Sequence, residues 1–319
     1  MCRTARFFLL LLLMWVDFPA SAQPVKEYGR LRVQGTRLLD QKGRPVVLRG
    51  TSFGWHNWHP RYYNDTAVRW LAKDWHCSVV RAAMGIEPEG AYLADSAKAI
   101  AKVEAVIRGA ISAGIYVIVD WHSHNIQRAE AKAFFLRMAR KWGRHPNVIW
   151  EIFNEPDQES WAEVKSYAED VIRTIRTVDP DNIILVGSPH WNTDLHLVAK
   201  DPIRGQSNIM YTMHFYAAAH KQYLRDRCDA AIRAGVPLFI SECGSMETTG
   251  NGRLDLQEWG RFQRWAEERG ISWVVWSVSD KNESCSVLWK GAPAAGSWND
   301  AMLKPWGRII RRQLRAFNK

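Results

Sequence analysis

Residues 148–156, VIWEIFNEP, begin as an apolar strand and end in Asn154, Glu155 and Pro156. Glutamate is rarely buried without a partner, and proline cannot continue an interior strand because it has no N–H group for the hydrogen-bond ladder. Taken alone, the stretch could be a strand that surfaces into a polar turn. The same succession of an apolar run and a polar end recurs along the chain, and this repetition predicts the fold.

Apolar strand patterns alternate with amphipathic helical patterns almost to the end of the chain. Near-continuous Val, Ile and Leu strands separated by helices are typical of parallel strands buried on both faces. Eight such units without a linker predict an α/β fold, a single (β/α)8 TIM barrel. An open doubly wound sheet would be expected to carry a glycine-rich phosphate loop after an early strand, and the sequence has none. The predicted strands are residues 46–53, 78–84, 115–122, 148–155, 182–188, 208–216, 237–244 and 271–278.

The N-terminal sequence predicts two further features. Residues 30–40, RLRVQGTRLLD, have the pattern of a short β-hairpin that would close the bottom of the barrel. Residues 1–22 combine two arginines, the apolar run FFLLLLLMWV and the small residues ASA, which is typical of a secretory signal peptide. Cleavage after Ala22 would leave residues 23–319 as one barrel domain. We therefore expect a secreted protein that has no membrane attachment after cleavage.

The chain is basic, with a formal net charge of +10 at pH 7. Such a surface could attract nucleic acid, anionic lipid or acidic polysaccharide. The basic residues are scattered, however, and only the C-terminal helix concentrates them, where a solvated helix face explains them more simply. We therefore expect no nucleic-acid partner. The 17 tryptophans are more informative, because many lie near polar strand ends instead of inside apolar runs.

Polar side chains lie at the carboxyl ends of the predicted strands, where a (β/α)8 barrel builds its active site. Glu155 ends the fourth strand and Glu242 the seventh, on opposite sides of the barrel mouth. Two carboxylates that flank a scissile bond, one protonated and one ionised, are the apparatus of glycoside hydrolysis. Glu151 lies within its strand, and we interpret it as the structural partner of an inward-facing arginine. The other strand-end residues are Arg81, Asp120, Trp121, His122, His124, Asn154, His214, Tyr216, Trp276, Asp280 and Lys281.

Six motifs lie at these strand ends, in this order: RAAMG (81–85), DWHSH (120–124), IFNEP (152–156), YTMHFYAAAH (211–220), FISECG (239–244) and SWVVWSVSDK (272–281). They resemble glycoside hydrolase family 5, most closely its bacterial-type cellulase branch. The resemblance runs from about Leu31 to Trp289, nearly the whole of residues 23–319. A lone NEP would be a weak signal, but these motifs in order are highly specific.

The resemblance implies an endo-1,4-β-glucanase that acts by double displacement with retention of configuration. Glu155 would be the general acid/base, and Glu242 would be the nucleophile that forms a glycosyl-enzyme. Arg81 and Tyr216 would stabilise Glu242 as its anion. Asn154 would hydrogen-bond the 2-hydroxyl of the sugar.

The resemblance also implies a substrate-binding cleft. His122 and His214 would line the subsite of the cleaved sugar. The substrate would be a β-1,4-glucan polysaccharide or a cello-oligosaccharide, no metal or other cofactor would be needed, and we expect a monomer. The implied sugar platforms and hydroxyl contact are Trp276 under the cleaved sugar, Trp191 beside it, Lys281, and Trp55 and Trp58 further along the cleft.

The cysteines and two departures from the family pattern need separate comment. A tryptophan is common where Cys243 follows the nucleophile, and Asn125 follows HSH, but neither change removes a catalytic group. Four cysteines beyond residue 22 allow three pairings, and the sequence cannot choose among them. Cys243 and Cys285 follow adjacent strands and could lie within bridging distance. Cys77 and Cys228 should be free thiols.

Three alternatives stay open. Mannan, xylan and xyloglucan share the backbone geometry of β-1,4-glucan and could be the substrate instead. A sugar-binding barrel without catalysis would be expected to lack one glutamate, and both are present. A metal-dependent amidohydrolase-type barrel would need an HxH pair on the first strand, not the third, and would leave Glu242 and the tryptophans without a role. Its ligands would be drawn from His122, His124, Glu155, His190, His214 and Asp280.

Overall fold

The computed structural model describes residues 23–318, so the signal peptide predicted at residues 1–22 lies outside the described part of the chain. Eight parallel strands, β3 to β10 below, form a closed barrel in chain order, with β10 pairing with β3. The predicted (β/α)8 TIM barrel is therefore confirmed. The strands are β1 (Arg32–Gln34), β2 (Arg37–Leu39), β3 (Arg49–Phe53), β4 (Val79–Gly85), β5 (Tyr116–His122), β6 (Val148–Glu151), β7 (Ile184–Val186), β8 (Ile209–Tyr216), β9 (Leu238–Gly244) and β10 (Trp273–Val278).

Helices cover the outside of the barrel, and several begin and end at residues that cap them. Asp95 and Ser160 accept hydrogen bonds from backbone N–H groups in the first helical turn, while Gly114 and Gly270 end their helices in the left-handed conformation. Within residues 23–318, no helix is both long and apolar enough to span a membrane. The helices are α1 (Pro24–Tyr28), α2 (Asp65–Asp74), α3 (Ser96–Ala113), α4 (Arg128–Trp142), α5 (Trp161–Arg176), α6 (Pro189–Asn192), α7 (Leu195–Lys200), α8 (Gln222–Arg233), α9 (Leu256–Arg269) and α10 (Pro305–Phe317).

The predicted hairpin is present as the antiparallel pair β1–β2. The backbone N–H of Val33 donates to the side chain of Asn208, just before β8, and Arg30 donates to Asn182, just before β7. Leu31 and Leu38 pack against the apolar side chains inside the barrel. The hairpin therefore covers the amino ends of the strands, opposite the end where the polar residues lie.

The barrel interior changes from apolar to polar along the strands. Val79, Ile118 and Ile149 belong to the inner apolar cluster. Side chains two residues apart on a strand face the same way. The next inward layer therefore holds Arg81 above Val79, Asp120 above Ile118 and Glu151 above Ile149, all fully buried. This layer forms the floor of the mouth.

A register shift turns Glu242 toward the mouth. Phe239 belongs to the inner apolar cluster, so in a regular strand Ser241 would face inward and Glu242 outward. The pairing of β8 with β9 passes from Thr212 opposite Phe239 to His214 opposite Glu242, which adds one residue on β9. Such bulges re-aim side chains and are common next to active sites.

The strand predicted at residues 148–155 is wrong at its carboxyl end, because β6 stops at Glu151. Its neighbour β7 ends at Val186, so the residues that follow Ile152 have no strand partner on that side. On the other side, the N–H groups of Asn154 and Glu155 still donate to backbone carbonyls at the end of β5, at 3.1 and 3.2 Å. Both side chains therefore lie in an irregular segment anchored to β5.

The bridge that the sequence allowed between Cys243 and Cys285 is not formed, and the prediction that Cys77 and Cys228 are free thiols is confirmed. All four cysteines of the described residues are free and buried. The Cys243 thiol donates to the carbonyl of Val274, on the neighbouring strand, at 3.3 Å. Burial raises the pKa of each thiol. Burial and the charge of Glu283 together raise the pKa of Cys285 to about 12.

We expect these thiols to be unreactive in the folded protein, because they are buried and protonated. After denaturation without reductant, alkylation and intact-mass measurement should find four modified cysteines within residues 23–319. A count of two would mean that a disulfide forms after all.

Candidate active site

The candidate residues meet at the mouth of the barrel. Glu155 and Glu242 both line a cavity of about 270 Å³. A second cavity, of about 500 Å³, also reaches Glu155. Together they form one cleft that passes Glu155 on both sides. The first cavity is also lined by Trp55, Trp58, Trp276 and Lys281, and the second by Trp191, His190 and His220.

Arg81 of β4 lies under the cleft and is fully buried. Its guanidinium donates to Glu151 of β6 over 2.7 Å and to Glu242 of β9 over 2.9 Å. It also pairs with Asp120 of β5 at 3.0 Å and donates to the side-chain oxygen of Asn154 over 2.6 Å. Burial alone would lower the pKa of Arg81, but the three carboxyl groups outweigh it and raise that pKa well above its usual value. The predicted pairing of Glu151 with an inward-facing arginine is confirmed.

Glu242 is held by two donors. One carboxylate oxygen accepts from Arg81, and the other accepts from the Tyr216 hydroxyl over 2.6 Å. Burial and then the charge of Glu155 raise the pKa of Glu242, while Arg81, His214 and the Tyr216 hydroxyl act in the opposite direction. The two donors favour the ionised carboxylate, and the negative charge of the nearby Glu155 acts against it.

Glu155 is joined to the floor of the site by a chain of hydrogen bonds. Its carboxylate lies 2.8 Å from Nδ1 of His214, and Nε2 of His214 lies 2.9 Å from the Ser241 hydroxyl. That hydroxyl donates its only proton to Glu151 over 2.6 Å, so it must accept from His214. Nε2 therefore carries a proton, and Glu155 and His214 share a second proton between them.

The environment places this shared proton on His214. Burial alone would lower the pKa of His214, but the nearby Glu151 carboxylate, 3.8 Å from Nε2, and the hydrogen bond with Glu155 raise it to about 9. Burial raises the pKa of Glu155, yet the hydrogen bond and charge of His214 outweigh burial and lower it. The pKa values of His214 and Glu155 depend on each other, because the two groups share this proton.

His122 and Asn154 complete the polar floor of the site. Nδ1 of His122 lies 2.7 Å from Asp120, and its ring is parallel to Trp276, with 5.3 Å between ring centroids. Burial and the charge of Arg81 keep the pKa of His122 well below its usual value, so this imidazole is neutral. The side-chain nitrogen of Asn154 is buried and has no hydrogen-bond partner among the described residues.

Aromatic side chains extend the cleft on both sides of the glutamates. The rings of Trp55 and Trp58 lie 4.7 Å apart, and Lys281 lies 5.7 Å from the Trp58 ring while pairing with Glu283 at 2.6 Å. On the other side, Trp191 is 46% exposed. It stands in a turn whose backbone is left-handed from residue 190 to residue 192, a strained conformation typical of functional sites.

The six residues that an amidohydrolase-type barrel would use as metal ligands do not all meet at one point. Glu155, His214 and Glu242 form a group, within residues 23–318, whose potential ligand atoms all lie within 4.8 Å of one another. Of the six residues of the amidohydrolase set, this group contains Glu155 and His214. Asp280 is instead paired with His59 at 3.6 Å.

Two further residues of the site, Ser241 and His220, were not predicted from the sequence. Ser241 links His214 to Glu151, but a serine within an apolar strand shows no pattern that marks it. His220 accepts a hydrogen bond on Nδ1 from the Tyr216 backbone at 2.9 Å and lines the second cavity. Its position four residues after Tyr216, inside a recognised motif, was the available signal.

A family profile and several related proteins match this chain over most of its length. A profile described as cellulase (glycosyl hydrolase family 5) matches residues 39–282. Endoglucanase 5 of Pectobacterium carotovorum subsp. carotovorum is 40% identical over 311 residues, which are 95% of this chain. The match spans 61% of the length of that relative.

Solved structures agree over the whole barrel. A structure from Cytophaga hutchinsonii superposes with a TM-score of 0.91 at 42% identity, covering 93% of this chain and 98% of that one. The catalytic domain of a Thermobifida fusca endoglucanase, in a variant complexed with cellotetraose, gives a TM-score of 0.87 at 35% identity and covers 92% and 100% of the two chains. The chain therefore belongs to the cellulase family, glycosyl hydrolase family 5.

Proposed function

We propose that the protein is an endo-1,4-β-glucanase that hydrolyses cellulose-type glucans with retention of configuration. The observation that carries the proposal is the geometry of the glutamates: an oxygen of Glu155 and an oxygen of Glu242 lie within 4.8 Å of each other. Carboxyl groups about 5–5.5 Å apart suit a covalent intermediate, whereas inverting enzymes need about 6.5–9.5 Å to hold a water between them.

Glu242 is the proposed nucleophile. Arg81 and Tyr216 hold its two oxygens and favour the anion, which attacks the anomeric carbon and forms the glycosyl-enzyme. The leaving oxygen takes a proton from Glu155 in the same step. Water, deprotonated by Glu155, then releases the sugar and regenerates both glutamates.

His214 supplies the proton that Glu155 donates. The Glu155 side chain is 15% exposed, so substrate over the cleft would remove its remaining water. Loss of water favours the neutral carboxyl group, and the proton can pass along the 2.8 Å hydrogen bond from His214 to Glu155. Glu155 and His214 together thus hold one proton that is available for the leaving oxygen.

The proposed substrate rests on the tryptophans of the cleft and on a related structure, and the proposed location rests on residues 1–22. The tryptophans on both sides of the glutamates suit a linear chain of sugars longer than the reacting pair, which supports endo action. Cellotetraose is bound in the related Thermobifida fusca structure, which supports β-1,4-glucan as the substrate class. We also propose that residues 1–22 are a signal peptide and that the protein is secreted.

A reducing-sugar assay on a panel of purified polysaccharides tests the substrate. We expect activity on β-1,4-glucan to exceed activity on mannan, xylan and xyloglucan, with a rapid fall in viscosity from internal cleavage. Higher activity on another member of the panel would reassign the substrate without changing the mechanism.

Azide rescue separates the roles of the two glutamates. With a dinitrophenyl glycoside, Glu155→Ala should form the glycosyl-enzyme and then stall, and azide should restore turnover and give the β-glycosyl azide. Without azide, Glu242→Ala should be inactive. With azide it should give the α-glycosyl azide, because azide then attacks the anomeric carbon directly from the opposite face. General acid–base help is typically worth about 10²–10⁴-fold, so the differences should be clear by NMR of the products. Exchanged products would reverse the assignment.

The raised pKa of His214 predicts how stability depends on pH. The ordinary value is 6.5 and the folded value about 9, so the folded protein binds the extra proton between these pH values. The stabilisation is complete below pH 6.5 and is lost as pH rises through 9. We expect the free energy of unfolding to fall by roughly 3 kcal/mol across this window.

Denaturant titrations from pH 6 to 10 check this dependence. His214→Gln should remove most of the fall, whereas His145→Gln, at the amino end of β6, should keep it. An unchanged slope in His214→Gln would mean that His214 does not hold the proton.

A further inference from the structure

Trp289 lies outside the packed interior. It follows β10, its side chain is 46% exposed, and it belongs to neither apolar cluster of the barrel. Single exposed apolar residues are common and need no explanation by themselves. The surroundings of Trp289 set it apart, because they connect it to the catalytic cleft.

The ring is held in place from the backbone and from one face. The N–H of Trp289 donates to the carbonyl of Met302 over 2.9 Å, next to a β-bridge between Leu288 and Leu303. The Lys304 ammonium lies over the ring, 5.3 Å from its centroid. The indole is therefore fixed in position before any ligand binds, which limits the entropy lost on binding.

Lys304 ties this ring to the wall of the cleft. It is only 6% exposed, and its ammonium donates to the backbone carbonyls of Lys281 at 2.5 Å and of Glu283 at 2.9 Å. Lys281 and Glu283 also line the catalytic cavity. One buried cation thus fixes both the loop at the end of the cleft and the tryptophan beyond it.

A groove that contains Trp289 lies next to the cleft. Its volume is about 480 Å³, and Lys281 borders both this groove and the catalytic cavity. Sugars combine apolar C–H faces with hydroxyl groups, so an aromatic ring among amides and charged groups suits them. Besides Trp289 and Lys281, the groove is lined by Asp280, Asn282, Lys290 and Lys304.

We propose that Trp289 is a remote sugar platform that binds the same glucan chain that occupies the cleft. This inference rests on the proposed function. The groove lies on the side of Trp58 and Lys281, away from Trp191. Glu242 lines the cavity on that side and not the cavity of Trp191, so the bound segment belongs to the part of the chain that becomes attached to Glu242. The ligand is thus the distal, non-reducing portion of a long β-1,4-glucan.

A series of aryl β-cello-oligosaccharides with two to six glucosyl units tests this inference. When turnover is measured by release of the aryl group, that group occupies the leaving-group side, so each added unit extends only the side toward Trp289. Trp289→Ala should leave kcat and KM unchanged on the shortest substrates and raise KM roughly 3- to 10-fold on the longest, with kcat unchanged. Trp289→Tyr should retain most of the affinity.

Phe317→Ala is the matched control. Phe317 is 40% exposed and also carries a cation over its ring, Arg49 at 5.5 Å, but it lies near the amino end of β3, far from the mouth. This variant should match the wild type at every length.

The outcomes separate the two proposals. A wild-type protein that cleaves none of the series overturns the proposed function and the inference with it. Wild-type activity combined with an effect of Trp289→Ala that does not grow with substrate length overturns the inference alone. The inference is also overturned if Trp289→Ala weakens only the binding of the protein to insoluble cellulose. Such a result would mean that the ring contacts a glucan chain next to the one in the cleft.

Discussion

The buried guanidinium of Arg81 is the constraint on which the rest of the site depends. It lies directly above an apolar layer, where an unpaired charge would be very unfavourable. Three carboxyl groups from β5, β6 and β9 surround it, and breaking a buried ion pair by removing one partner typically costs about 3–5 kcal/mol. Arg81 therefore links four strands of the barrel and fixes the position of Glu242. The geometry of Glu242, the proposed nucleophile, is set by the requirement to neutralise this charge.

Two glutamates in one cleft differ because their partners differ. Glu242 faces a permanent cation and a hydroxyl donor, which favour its anion. Glu155 faces His214, a base that can hold a proton and return it. Ser241 and Glu151 orient that imidazole, so Glu155, the proposed acid/base, depends on the same buried layer as Glu242, the proposed nucleophile. Through Glu151, Arg81 is connected to both halves of the proposed mechanism.

The cleft is built on segments that follow the strands, and its walls are fixed by local contacts. The side chain of Asn192 bonds the backbone of Ser188 and Asn154, which supports the strained turn that carries Trp191. Lys304 performs a similar task on the opposite side through the carbonyls after β10. Rigid supports of this kind keep sugar platforms in place without any help from the substrate, which suits the binding of a long, regular chain.

The sequence by itself determined the barrel, the end of it where the polar residues lie and the two glutamates that meet in the cleft. Alternation along a strand and the helical period are local properties, so they can be read without knowing which strands meet. Only the tertiary structure decided the bulge that turns Glu242 inward, the early end of β6, the free thiols of Cys243 and Cys285, and the path from His214 through Ser241 to Glu151. Each of these depends on the register and distance between segments far apart in the chain, and closure of the barrel is what sets both.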